Sequence, residues 1–172
     1  MSKKNFESVK FDNLEILILS EDAAVDFVRK SPYYWNVISI RDHNDAPVDE
    51  VASRCQTLHK VKFDDIDAPV KGFTIPTEEH VRSILDFSRD KKEILIHCTA
   101  GISRSSASAY LIACTRMPPI EAIKCLNTVY HWPNALVVKI GAKILNNPQI
   151  LHECEKWKTE VMRLDKLSNF NL

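Results

Sequence analysis

The sequence predicts an α/β fold, a central, mostly parallel sheet of about four to five strands flanked by helices. Three observations carry this. Short apolar runs such as "LEILIL", "WNVISI" and "EILIH" punctuate the first half. Segments of helical composition separate them, as in strand–helix–strand units. The second half then reads as helices alone, which would cover one face of the sheet.

Leu14–Leu19 reads as a buried strand, and Ser20 as the cap of a helix with Glu21 and Asp22 in its first turn. Trp35–Ile40 is a second strand, followed by a helix near Val48–Cys55. Thr57–Phe63 alternates and gives a third strand, and "DDIDAPVKG" after it is a polar loop. Pro76 and acidic residues open the next helix, where Val81, Ile84, Leu85 and Ser88 recur at helical spacing. "EILIH" is the fourth strand, and a helix is expected over Ser103–Arg116. Pro118-Pro119 breaks that helix and starts another, Ile120–Tyr130. "NALVVKIGAKIL" and "PQILHECEKWKTEVMRL" give two more, and "SNFNL" is a frayed end. The last long helix, about residues 148–165, carries an amphipathic stripe of Ile150, Leu151, Cys154, Trp157, Val161 and Leu164.

A chain of 172 residues fits one domain, 1–172, with a core over about 14–145 and a C-terminal covering helix. Lys+Arg and Asp+Glu both number 23, so the net charge is zero. That balance argues against nucleic acid and against stable association with an anionic membrane. Five cysteines at irregular spacing, with no CxxC, give neither a disulfide framework nor a zinc site. The six histidines show no metal-ligand spacing. No signal-like or membrane-spanning run is present in the sequence, and a reducing, cytoplasmic setting is expected.

The stretch "EILIHCTAGISRSS" holds the chemistry. A loop between a strand end and a helix N-terminus gathers unsatisfied amides on one spot, where the helix dipole adds positive potential. Thr99, Ala100, Gly101, Ile102, Ser103 and Arg104 supply those amides, and Gly101 permits a backbone turn that a Cβ would hinder. Arg104 adds a planar, two-pronged donor suited to a phosphate. Cys98 lies at the entrance of this positive site, which favours its thiolate and makes it an in-line nucleophile. His97 is expected to orient the loop by hydrogen bonding. Ser105 is placed to hydrogen-bond the sulfur and ease its later departure. Of the other four cysteines, Cys114, Cys125 and Cys154 read as core residues.

His97, Cys98, Ala100, Gly101, Ser103, Arg104 and Ser105 together match HCxAGxSRS, the narrow form of the cysteine-phosphatase signature HCxxGxxR[ST]. Over about Leu14–Leu145 the chain resembles the dual-specificity branch of the protein tyrosine phosphatases. The resemblance implies that branch's fold and a general acid just after the preceding strand. "VKFDDIDAP" offers Asp64, Asp65 and Asp67, with Asp65 best matching the family's spacing. It also implies that Asn134, in "HWPNAL", braces the phosphate loop while capping a late helix. Arg41-Asp42 is either a structural ion pair or a rim contact.

The expected reaction is therefore phosphate monoester hydrolysis through a phosphocysteine, without metal or other cofactor. The substrates expected are phosphoproteins carrying phospho-Tyr and phospho-Ser/Thr. Phosphate, sulfate or vanadate should bind the loop. Small phosphorylated metabolites such as inositol phosphates are the alternative substrate class. A phosphate-binding module without turnover and a rhodanese-type sulfurtransferase are the rivals from other classes.

Overall fold

The structure is a computed structural model that describes residues 8–46 and 49–169. Its strands are β1 (Val9–Phe11), β2 (Leu14–Ser20), β3 (Asn36–Arg41), β4 (Thr57–Lys62) and β5 (Glu93–Cys98). Its helices are α1 (Glu21–Lys30), α2 (Asp49–Arg54), α3 (Glu78–Ser88), α4 (Arg104–Cys114), α5 (Pro119–Ala122), α6 (Ala135–Ile144) and α7 (Gln149–Asn169). The five strands form one sheet in the order β1-β2-β5-β3-β4. β2, β5, β3 and β4 are parallel, and β1 joins antiparallel to β2.

The chain leaves β2 and β3 on opposite sides of β5, so the connections cross over the central strand. The continuous apolar character of β2 and β5 follows, because both faces are covered. Leu14, Ile16, Ile18, Ile94, Ile96 and Cys98 face one core, which the later helices fill. Leu17, Leu19, Val37 and Leu95 face a second core, shared with Ala24 and Val28 of α1 and Val51 of α2. All four parallel strands end at the same edge, and the loops after β3, β4 and β5 converge there.

Helix α4 runs through the middle of the larger core, and its residues Arg104–Ala113 are all buried. Small side chains make this possible. Ser106 and Ser108 return their hydroxyls to carbonyls of Ser103 and Arg104, at 3.0 and 2.9 Å, so neither is left unsatisfied. Ser20 caps α1 as expected, its hydroxyl accepting from the Ala23 amide at 3.3 Å. Among the described residues, no helix is long and apolar enough to cross a membrane.

The five strands fall within the expected four to five; the fifth, β1, is three residues of mixed polarity that gain strand form by pairing with β2. Three expectations need correction. The helix expected over Ile120–Tyr130 stops at Ala122, with a 3-10 turn over Ile123–Cys125. Local side chains end it: Asn127 Oδ1 accepts from the Val129 amide at 2.8 Å, and His131 Nδ1 accepts from the Asn127 amide at 2.9 Å. α7 reaches Asn169 rather than about 165, so part of the expected frayed end is helical; Phe170–Leu172 lie outside the described residues. Leu164 does not join the buried stripe of α7 but is exposed.

Candidate active site

The register of the sheet builds the site. Cys98 is the last residue of β5 and pairs with Ser20, while Ser103 stands at the N-terminus of α4. The loop between them must fold back sharply against β2. Gly101 makes that possible, with φ +73° and so close an approach that a Cβ would lie 2.5 Å from the carbonyl carbon of Leu19 and from the Ser20 nitrogen. The loop's carbonyls are tied to its surroundings. Thr99 O accepts from the Glu21 amide at 3.3 Å, Ile102 O from the Trp132 amide at 2.9 Å and Ser103 O from the Asn134 amide at 3.2 Å. With those carbonyls engaged from outside, the loop's own amides are the donors left for a ligand.

Arg104 is 3% exposed. Its Nη1 donates to Asp42 Oδ1 at 2.6 Å and to the Phe63 carbonyl at 2.7 Å, and its Nη2 donates to Thr99 Oγ1 at 3.0 Å. Its buried Nε makes no hydrogen bond to a described group. Nε and Nη2 share the edge of the guanidinium suited to two oxygens of a phosphate; on it Nη2 bonds Thr99 and Nε has no described partner. Cys98 is buried, and its Sγ lies 3.2 Å from Ser105 Oγ.

Three acidic side chains follow β4, and they part company. Asp64 is buried and turned toward His43 and Thr74. Asp67 is exposed. Asp65 alone of the three reaches the phosphate loop, where its Oδ1 accepts from Ser103 Oγ at 2.7 Å and from Asn134 Nδ2 at 2.9 Å. Asn134 meanwhile caps α6, its Oδ1 accepting from the Val137 amide at 3.0 Å.

A model of the family described as "DSP-PTPase phosphatase fused to NAD+ Kinase" matches residues 32–129, more than half of the chain. The chain belongs to this DSP-PTPase family. It thereby falls in the dual-specificity branch of the cysteine-dependent protein tyrosine phosphatases. No curated protein sequence matches the chain. Solved structures share the fold at low identity. The Cydia pomonella PTP-2 phosphatase has a TM-score of 0.56 and 18% identity, covering 78% of this chain and 88% of its own. DUSP15 has a TM-score of 0.54 and 16% identity, covering 91% and 95%. PTPMT1 in complex with PI(5)P has a TM-score of 0.53 and 12% identity, covering 89% and 97%.

Within this DSP-PTPase fold, two sequence expectations change. His97 does not orient the loop by hydrogen bonding. Strand alternation puts it on the α1–α2 face with Leu95, away from Cys98. It is fully buried there, and neither ring nitrogen bonds a described group. Burial, reinforced by the Arg41 charge, pushes the imidazole down to about 4. Arg41 and Asp42 are not partners either. Arg41 pairs with Glu21 at 2.6 Å and Asp45 at 3.5 Å, whereas Asp42 pairs with Arg104. Of the two alternatives the sequence left open for Arg41-Asp42, the mutual ion pair is not formed, and what the sequence did not show is that Asp42 partners Arg104. Its signal was positional, a carboxylate directly after a strand that ends beside β5.

The other cysteines sit apart from this chemistry. Burial pushes the Cys114 thiol up to about 12 and the Cys154 thiol up to about 11, and raises Cys55 and Cys125 as well. A cleft of about 470 Å³ borders the phosphate loop along Ala100–Ile102, between β2 and the segment Lys124–His131. Ile16, Ile18, Leu126 and Val129 line it together with polar side chains such as Ser20, Asn127 and His131. Among its described lining residues the lysine is Lys124, which is paired with Glu121 at 2.5 Å.

Proposed function

We propose that this DSP-PTPase hydrolyses phosphate monoesters through a phosphocysteine on Cys98, with phosphoproteins bearing phospho-Tyr or phospho-Ser/Thr as its substrates. The observation that supports this best is the buried Arg104, whose Nε has no described partner, beside a loop whose Thr99, Ile102 and Ser103 carbonyls are engaged from outside. Three equatorial phosphate oxygens would be held by the Nε–Nη2 edge of Arg104 and the loop amides, which also stabilise the charge that spreads over them in the transition state.

The Cys98 thiolate attacks phosphorus in line, forming the S–P bond as the ester P–O bond breaks. Asp65 gives its proton to the leaving oxygen. Both hydrogen-bond donors converge on Asp65 Oδ1, so Oδ2 is the oxygen that carries the transferable proton. The ionised Asp65 then takes a proton from water, which attacks phosphorus and expels the thiolate. Ser105, 3.2 Å from the sulfur, donates to it as it leaves. Arg104 and the amides supply the positive charge, so the scheme calls for no metal. We place the protein in the cytoplasm and expect no stable membrane association.

The cleft beside the loop mixes apolar and polar side chains, and the lysine among its described lining residues, Lys124, is paired with Glu121; both features favour peptide substrates over polyanionic head groups. PTPMT1 carries PI(5)P in its solved complex, and for that reason phosphoinositides and inositol phosphates belong in the substrate panel. The test is p-nitrophenyl phosphate hydrolysis in EDTA by wild type and Cys98→Ser. Metal-independent, vanadate-sensitive turnover that Cys98→Ser abolishes is the expected result. Phosphate or vanadate binding without turnover at any pH would make the chain a binding module instead.

A further inference from the structure

Asp64 stands next to Asp65 in the chain and faces away from the phosphate loop. It is 4% exposed, and its carboxylate accepts from His43 Nδ1 at 2.7 Å, from the Thr74 amide at 2.6 Å and from the His43 amide at 3.4 Å. Burial alone would push this carboxyl up, but the Thr74 amide and then the two His43 bonds outweigh it and hold the carboxyl below its ordinary range. An ionised carboxylate only accepts, so His43 Nδ1 carries the proton. The Asp64 amide in turn donates to Thr74 O at 2.8 Å. Asp64 and Thr74 therefore close the base of an irregular loop that has Asp65 at its start.

His43 sits in the turn after β3. Asp45 N donates to Asp42 O at 3.1 Å, and Lys62 Nζ donates to the carbonyls of His43 and Asp45 at 3.4 and 2.8 Å. The His43–Asp64 contact thus joins the two turns that deliver Asp42 and Asp65 to the site. Asp65 needs such an anchor. Its side chain is exposed, and the two neutral donors that hold it converge on one oxygen. The precision of its placement therefore also draws on its backbone.

We propose that His43 is a positioning residue for the general acid: its Nδ1–H bond to Asp64 fixes the backbone from which Asp65 projects over the phosphate loop. This rests on the reading of Asp65 as the acid. Displacement of about 1 Å at a reacting group costs on the order of a hundredfold in rate, so the loss of this one bond should register in catalysis.

The test uses aryl phosphates with leaving groups of graded acidity and follows kcat for wild type, His43→Ala, His43→Asn, Asp65→Asn and the double variant His43→Ala/Asp65→Asn. Vanadate inhibition and thermal melts are measured alongside. His43→Ala should lower kcat by at least about tenfold for the poorest leaving groups and much less for p-nitrophenyl phosphate, because an acid matters most where the departing oxygen is most basic. Vanadate affinity should stay within about twofold, since the loop and Arg104 are not what His43 serves. His43→Asn keeps a donor at the δ position and should recover most of the loss. In the Asp65→Asn background, His43→Ala should cost nothing further.

Losses that multiply in the double variant, a loss equal for every leaving group, or an unchanged kcat in His43→Ala would each overturn the proposal. A flat leaving-group response in Asp65→Asn itself would overturn the acid assignment and this proposal with it. That failure shows in a variant that leaves His43 intact, so the two are told apart. If His43→Ala proves too unstable to assay, failure of the folded His43→Asn variant to retain the wild-type leaving-group response would overturn the proposal on its own.

Discussion

Asp42 Oδ1 accepts a hydrogen bond from Arg104 Nη1 at 2.6 Å, joining the end of β3 to the start of α4. The bond fixes which edge of the guanidinium faces the proposed phosphate site, because Nη1 is spent on Asp42 and the Phe63 carbonyl. Asp42→Asn removes the charge that anchors this edge. A charge-assisted bond is worth about 1.5–3 kcal/mol, and the 41% exposure of the Asp42 side chain argues for the lower end. We expect kcat/KM to fall about tenfold, with vanadate binding weakened in parallel and the same loss for every leaving group. Unchanged vanadate affinity would show that Arg104 holds its place without Asp42.

Gly101 admits no side chain. Its φ of +73° costs any other residue about 1–2 kcal/mol. A Cβ would also meet backbone of Leu19 and Ser20 at 2.5 Å, and backbone cannot swing aside. Gly101→Ala should lower Tm by at least roughly 2–8 °C and weaken phosphate binding, as measured by thermal melts with and without vanadate. A variant that melts and binds like wild type would mean that the loop can relax away from β2.

Much of this was legible in the sequence, for reasons that lie in particular residues. Cys98, Arg104 and Ser105 are close in the chain, so a local motif places them together, and Gly101 stands out in a chain with only three glycines. The inner strands of the sheet were legible because burial on both faces leaves them largely apolar, as over residues 16–19 of β2. Asp42 was not legible as a partner of Arg104, since 62 residues separate them and only the strand order brings them together. Its neighbour Arg41 invited a local pairing that strand alternation forbids. The overextended helix through Tyr130 failed for another reason: the side chain of Asn127 competes for the backbone, and propensity does not register that competition.

Ser105→Ala should leave formation of the phosphocysteine nearly intact and slow its breakdown. The hydroxyl lies 3.2 Å from the sulfur, within reach of the thiolate that the proposed second step releases. Rapid-quench kinetics should show a burst of phenol followed by a slower steady state. Absence of a burst, with the steady rate unchanged, would remove Ser105 from the second step.

Asn134 has two duties that substitution can separate. Its Oδ1 caps α6 and its Nδ2 holds Asp65. Asn134→Ala loses both, at about 1 kcal/mol of stability for the cap. Asn134→Ser restores a cap but is too short to reach Asp65. The serine variant should therefore melt near wild type while losing kcat for poor leaving groups, by a factor between that of wild type and Asp65→Asn. Full activity in Asn134→Ser would leave Ser103 as the sufficient holder of Asp65.

His97 and His131 set an acid limit on stability. Burial pushes both imidazoles down to about 4, and for His97 the Arg41 charge adds to it. An unfolded histidine binds its proton near pH 6.5. Between about pH 6.5 and 4 the unfolded chain therefore binds more protons than the folded one, and stability falls as pH falls through that window. Above it the contribution is complete. A shift of this size for the fully buried His97 corresponds to up to about 3 kcal/mol. His97→Gln cannot titrate there, so its Tm should decline less steeply than wild type from pH 6.5 to 4, with the slope that remains coming in part from His131. Parallel Tm curves for the two proteins would show that His97 gains its proton without unfolding the second core.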